Sequence, residues 1–210
     1  MGVDVGKTVL ETFTIFPFSI VLALALGEAF KQFVAEHRPG VDQTAAVRGG
    51  SIQWDRLAAL LTFLLLILPF YQGMNRYLLV NYGAVPATSP LYSAIGLILD
   101  SAAFMIESAV FFAMSRNLAN SRWRYLYGIV LFLLVVDTFW GFSALLHPHE
   151  KTDPILQNWM ILNAVFSLIL ILLIWQGRRL SDAVIAWIGT FAMLIRTFID
   201  YYISWDFYFS

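Results

Sequence analysis

Six long apolar stretches follow one another along the chain, separated by short polar segments. They cover residues 9–33, 54–82, 91–114, 125–146, 155–175 and 183–207. A hydrocarbon core about 30 Å thick requires about 20 helical residues, and every stretch reaches that length. Because a peptide group finds no water in lipid, such a segment must be a helix. The pattern predicts an all-α, polytopic membrane protein with a bundle of six transmembrane helices.

The composition agrees with this class of protein. Hydrophobic residues make up 60% of the 210 residues and charged residues 13%, whereas soluble domains contain about 25% charged residues. The net charge of −1 argues against a nucleic-acid partner. The absence of cysteine from the sequence excludes disulfides and thiolate ligands. The first stretch is too long for a signal peptide and follows no basic region, so we interpret residues 1–210 as a single transmembrane domain.

Lys and Arg are concentrated in the loops after the first, third and fifth stretches. These loops contain Lys31, Arg38, Arg48, Arg56, Arg116, Arg122, Arg124, Arg178 and Arg179. The opposite side has only Lys7, Arg76 and Lys151. Because cationic loops stay on the cytoplasmic side, the sequence predicts a multi-pass protein of the cell membrane with both termini outside.

Aromatic residues at the ends of the stretches predict two interfacial belts. The predicted inner belt contains Trp54, Trp123 and Trp175. The predicted outer belt contains Tyr82, Trp159, Trp205 and Tyr208.

Among the polar side chains within the predicted helices, where hydropathy disfavours them, seven are candidates to line a pathway. They are Gln72, Arg76, Asp100, Glu107, Asp137, Arg196 and Asp200. A charge at the centre of a lone helix costs at least ~2.5–3.5 kcal/mol to insert, so these groups must face protein or water.

Helical periodicity places the charges on inward faces. At about 100° per residue, Asp100 and Glu107 lie on one side of the third helix, and Arg196 and Asp200 on one side of the sixth. Small residues lie beside the charges on these faces and beside Asp137, namely Gly96, Gly141, Ala144 and Gly189. Because small residues let helices approach closely, we expect these faces to point into the bundle.

The polar side chains also fall into layers. Counting about 1.5 Å per residue from the predicted outer ends places one layer about 14–15 Å deep, with Gln72, Asp100, Asp137 and Arg196. A second layer, about 9 Å deep, contains Arg76 and Asp200. Glu107 lies nearer the cytosolic side. If these charges are structural, the layers predict that Arg196 pairs with Asp100 or Asp137 and that Arg76 pairs with Asp200.

Two interpretations of this cluster remain open. Intramembrane ionisable groups commonly line water-filled pathways, and the excess of acidic groups favours a cation or a proton over an anion. The sequence then predicts a pathway for a small solute, cation or proton, formed by a homo-oligomer because six helices barely enclose a cavity. Alternatively, the charges are structural, and the protein is a membrane anchor or sensor subunit. Its basic cytosolic loops would then bind a protein partner, in addition to the membrane lipids that surround either form.

Catalytic, metal and cofactor motifs are weak in this sequence. An enzyme acting on lipid or quinone is a third possibility, but no HEXXH or GxSxG motif supports it, and we predict no catalytic residues. The segment HPHEKTD at 147–153 resembles a solvated turn or a pH-sensitive patch more than a metal site, which needs three or four converging ligands. We expect no metal and no cofactor.

A faint internal similarity relates residues 20–33 (IVLALALGEAFKQF) to residues 129–142 (IVLFLLVVDTFWGF). With three helices in each half, a true repeat would be inverted, as in many secondary transporters. Apolar segments drawn from the same few residue types also match by chance, so both explanations stay open.

Overall fold

The computed structural model describes residues 15–34, 54–82, 90–118, 123–146, 152–176 and 180–209. These residues form six long helices and one short one: α1 Phe16–Val34, α2 Trp54–Tyr82, α3 Pro90–Arg116, α4 Trp123–Leu145, α5 Asp153–Gln176, α6 Asp182–Ile203 and α7 Trp205–Phe209. The described ranges contain no strand. All six long helices are long and apolar enough to cross a membrane. The predicted all-α class, with six helices long and apolar enough to span a membrane, is confirmed.

The end of the sixth predicted span is wrong. Helix α6 ends at Ile203, four residues before the predicted end at Phe207. Ser204 interrupts the helix with φ −110° and ψ 13°, while its N–H still donates to the carbonyl of Asp200 at 2.9 Å. The chain then turns into α7, which places Tyr208 in the protein interior.

The long helices pack in three main pairs. Helix α1 packs chiefly on α3, α4 on α5, and α2 on α6. An inverted repeat would pair α4 with α6 as α1 pairs with α3, but α4 packs chiefly on α5 instead. The packing therefore favours shared composition over a true repeat.

The predicted inward faces are confirmed. Each of the five intramembrane charges is at most 8% exposed: Asp100, Glu107, Asp137, Arg196 and Asp200. Gly189 lies against the ring of Tyr127 so closely that a Cβ atom there would overlap the ring. Large apolar side chains are exposed on all six long helices. Polar groups inside and apolar groups outside are the arrangement expected of a bundle in lipid.

The exposure of the side chains agrees with only part of the predicted aromatic belts. Trp54, Trp175 and Trp205 are exposed, as an interfacial position requires. Four of the aromatic residues predicted to lie in the belts are buried within the bundle, namely Tyr82, Trp123, Trp159 and Tyr208. Three of these four, Tyr82, Trp159 and Tyr208, donate hydrogen bonds to buried carboxylates. Hydropathy alone does not reveal such bonds.

Some predictions concern residues that lie outside the described ranges. These are the loop cations Lys7, Arg38, Arg48, Arg122, Lys151, Arg178 and Arg179, and the residues His147, His149 and Glu150 of the HPHEKTD segment.

Candidate functional site

A guanidinium group lies at the centre of the buried polar cluster. Arg196 of α6 is 1% exposed, and it donates from Nη2 and Nε to Asn163 Oδ1 of α5, at 2.6 and 3.2 Å. Its Nη1 lies 3.4 Å from Oδ2 of Asp200, one turn further along α6. The ring of Phe70 lies 5.1 Å from the guanidinium carbon, within the range of a cation–π contact.

Asn163 connects this cation to α4. Its Nδ2 donates a short hydrogen bond to Oδ2 of Asp137. Asp137 and Arg196 therefore belong to the same network, but the amide of Asn163 bridges them where we predicted a direct ion pair. We call Arg196, Asn163, Asp137 and Asp200 the Arg196 network.

Asp200 is the most heavily hydrogen-bonded acid of the network. Trp159 Nε1 and Tyr208 OH each donate to its Oδ1 at 3.0 Å, and Ser204 Oγ lies 3.5 Å away. Burial, reinforced by the charge of Asp200, raises the pKa of the Tyr208 phenol, so that this hydroxyl remains a donor. The charge of Asp200 is balanced by Arg196, not by Arg76 as we predicted.

Arg76 and Gln72 lie outside this network and contact other groups of α6 and α7. Arg76 donates from Nε to the backbone carbonyl of Phe207 at 3.0 Å. Gln72 accepts a hydrogen bond from Tyr201 at 3.1 Å. Both contacts join α2 to the end of the chain.

Asp100 has a separate set of partners. Tyr82 OH donates to its Oδ2 at 2.6 Å and Trp140 Nε1 to its Oδ1 at 2.9 Å. The predicted pairing of Asp100 with Arg196 is therefore replaced by neutral donors, which complement a carboxylate without adding a charge. Trp140 also borders the cavity beside Arg196, so one indole separates Asp100 from the Arg196 network.

Glu107 differs from every other acid of the cluster. It is fully buried, and within the described part of the chain neither carboxyl oxygen has a hydrogen-bond donor. The charged side chain that acts on it is Asp137, another acid. Two carboxylates are both acceptors, so they can form a hydrogen bond only when one of them holds a proton. Glu107 and Asp137 can therefore form a hydrogen bond with each other when one of them is protonated, and not when both are ionised.

A small cavity lies against the Arg196 network. Measured over the positions that the centre of a water molecule can take, its volume is about 20 Å³. It is lined by Pro69, Phe70, Gly73, Met74, Asp137, Trp140, Trp159, Arg196, Asp200 and Tyr208. A water needs about 10–15 Å³ by this measure, so the cavity has room for about one or two water molecules.

Hydroxyl groups form a further polar cluster nearer the first turns of α2, α4 and α6. Thr62 and Thr190 are hydrogen-bonded to each other at 2.9 Å, and Tyr127 donates to the carbonyl of Ala186 at 2.6 Å. All three hydroxyl-bearing side chains are buried. They place exchangeable protons in the half of the bundle opposite to α7.

Comparisons with protein-family models, with curated proteins and with solved structures found no match. A functional proposal therefore rests on the geometry of the buried cluster. Within the ranges that the structure covers, no three His, Asp or Glu side chains converge to form a metal site.

The structure brings together part of the predicted site. Asp137, Arg196 and Asp200 line one cavity, and Glu107 borders it through Asp137. Sequence reasoning missed Asn163, although an amide in the middle of an apolar stretch is a visible signal. It also assigned Trp159 and Tyr208 to the lipid interface. An indole or a phenol near a helix end can be an interfacial anchor or a buried hydrogen-bond donor, and the sequence looks the same in either case.

Proposed function

We propose that the protein forms a proton pathway across the cell membrane, and that Glu107 and Asp137 are its proton-binding pair. This proposal narrows the predicted pathway for a small solute, cation or proton to the proton. The observation that carries it is the burial of Glu107 beside Asp137 with no hydrogen-bond donor for either oxygen.

The energetics of burial favour a proton on this pair. An isolated carboxylate in a low-dielectric interior is very costly, and such a group neutralises instead. Asp137 can carry the negative charge, because Asn163 donates a hydrogen bond to it and Arg196 in turn donates to Asn163. Glu107 then holds the proton and releases it when the surroundings of Asp137 change.

The size of the cavity supports a proton over a larger solute. A space for one or two waters touches Asp137, and a water can pass a proton to a carboxylate that it contacts. A solute with several heavy atoms does not fit that space. On the other side of the pair, the hydroxyl groups of Thr62, Tyr127 and Thr190 offer acceptors and donors for onward transfer.

The orientation follows from the charges of the loops. If both termini lie outside, as the loop charges predict, the cavity lined by Tyr208 lies in the external half of the membrane. We further propose that the protein is a homo-oligomer in a lipid bilayer, since the apolar outer faces of six helices leave ample surface for a second copy.

One observation favours a membrane anchor or sensor as the second candidate function. The hydrogen bonds of Arg196, Asp137 and Asp200 join three helices, and such a network can fix helix register without moving any ion. In that case a soluble partner would bind the basic cytosolic loops and copurify in stoichiometric amount. The unsatisfied carboxyl of Glu107 is the feature that this candidate leaves without a role.

Proton flux into liposomes tests the proposal. Purified protein is reconstituted around a pH-sensitive dye, and a potassium gradient with valinomycin drives proton entry. We expect dye acidification with the natural protein and a reduction of at least tenfold with Glu107→Gln, which cannot release a proton. Glu28→Gln is the matched control, because Glu28 lies near the end of α1, 3.3 Å from Lys31, and outside the cluster.

Two outcomes would contradict the proposal. The first is the absence of flux above protein-free liposomes. The second is equal flux in the natural protein and in correctly folded Glu107→Gln and Asp137→Asn. Either result, combined with copurification of a soluble partner, would select the anchor or sensor function.

A further inference from the structure

An apolar groove runs along the outer surface between α3 and α4. Its volume is about 560 Å³, within the range of about 300–1,000 Å³ found for ligand sites. It is lined by Ile106, Ala109, Val110, Ala113, Arg124, Tyr125, Gly128, Ile129 and Phe132. None of these residues belongs to the Arg196 network, so the groove is independent of the proposed proton pathway.

Small residues keep this groove open. Ala109 and Ala113 of α3 are exposed in it. A Cβ atom built on Gly128 of α4 would meet nothing within 4 Å. Gly189 and Gly141 behave in the opposite way, since a neighbouring side chain fills the space in front of each. The small residues of the groove therefore leave space that the protein itself does not occupy.

One end of the groove carries a positive charge. Arg124, in the first turn of α4, is exposed and lines the groove together with Tyr125. From there the lining extends to Phe132 on α4 and to Ile106 on α3. Eight residues of helix correspond to a length of about 12 Å. The groove thus leads from a guanidinium in the first turn of α4 along an apolar lining toward the middle of α3 and α4.

We propose that this groove binds an anionic phospholipid, with one acyl chain along α3 and α4 and the phosphate on Arg124. Two features of the groove identify the ligand. Its apolar lining matches an acyl chain, and the guanidinium of Arg124 can form bidentate hydrogen bonds with a phosphate. In the topology predicted from the loop charges, Arg124 lies on the cytoplasmic face, where anionic lipids attract basic residues. A zwitterionic lipid has the same chains but a headgroup without net charge, so it binds more weakly.

Native mass spectrometry tests this site. The full-length protein is equilibrated in detergent micelles that contain equal amounts of phosphatidylglycerol and phosphatidylcholine with identical acyl chains. We expect retained phosphatidylglycerol on the natural protein, with at least a fivefold preference over phosphatidylcholine. Arg124→Gln should reduce the retained phosphatidylglycerol at least fivefold, whereas Arg124→Lys, which keeps the charge but not the bidentate geometry, should retain an intermediate amount.

A second variant tests the groove without altering any charge. Gly128→Phe adds a ring to the groove, and its Cβ atom would meet nothing within 4 Å, so the side chain begins in open space. Gly27→Phe is the matched control, because a Cβ on Gly27 of α1 also meets nothing within 4 Å and Gly27 lies outside the groove. We expect lipid loss from Gly128→Phe and none from Gly27→Phe, at equal thermal stability.

Three results would overturn the site. The first is equal retention of the two lipids on the natural protein. The second is unchanged phosphatidylglycerol retention in both Arg124→Gln and Gly128→Phe. The third is conversion of an oligomer to a monomer by Gly128→Phe with no change in bound lipid, which would identify the groove as an interface between copies.

Discussion

Replacement of Arg196 with methionine removes the positive charge of the cluster and keeps much of the side-chain length. The guanidinium is 1% exposed, 3.4 Å from Asp200 and 2.6 Å from Asn163. Its loss leaves Asp137 and Asp200 buried without this cation. Removal of one partner of a buried ion pair costs about 3–5 kcal/mol. A hydrogen bond between transmembrane helices adds only about 0.6 kcal/mol on average. We therefore expect the free energy of unfolding to fall by about 3–5 kcal/mol.

Equilibrium unfolding in mixed micelles, titrated with sodium dodecyl sulfate, measures this loss. Tryptophan fluorescence is a suitable signal, because Trp159 donates its indole N–H to Asp200 and reports on the cluster directly. Arg116→Met is the matched control. Arg116 is exposed at the end of α3, and substitutions at such positions usually change stability by less than about 0.5 kcal/mol.

A double-mutant cycle separates the charge effect from lost packing. Asp200→Asn removes one of the two acids that Arg196→Met leaves unbalanced. The double variant should therefore lose less than the sum of the single variants, with a coupling of about 1–3 kcal/mol. A loss below 1 kcal/mol for Arg196→Met, together with zero coupling, would refute the conclusion that this guanidinium neutralises the buried acids.

Two further predictions concern stability. Glu107→Gln should have a free energy of unfolding within about 1 kcal/mol of that of the natural protein, because the amide of Gln can donate to Asp137 as the protonated carboxyl does, and a loss above 3 kcal/mol in the same titration would reveal an unrecognised partner. Gly189→Ala should lower the stability by about 1–3 kcal/mol and reduce the melting temperature, because the added methyl overlaps the ring of Tyr127. Gly27→Ala is its control, and equal melting temperatures for the two variants would contradict the close packing.

Sequence alone determined the class of protein and the inward faces of its helices. Each apolar stretch is long enough to span lipid, and a spanning segment must satisfy its own peptide groups, so the six helices follow from length and hydropathy. The cost of exposing a charge to lipid makes the side that carries Asp100 and Glu107, or Arg196 and Asp200, the side that faces protein. Both inferences need only the sequence of a single helix and no knowledge of its neighbours.

Only the tertiary structure decided which side chains meet. Residue counting gives the depth of Arg196 and the face on which it lies, but not which helix stands opposite or at what rotation. Asn163 therefore bridges Arg196 to Asp137, and the guanidinium binds Asp200 one turn away on its own helix. The break at Ser204 turns Tyr208 inward to the same acid. Such pairings depend on contacts between helices, which hydropathy and periodicity do not encode.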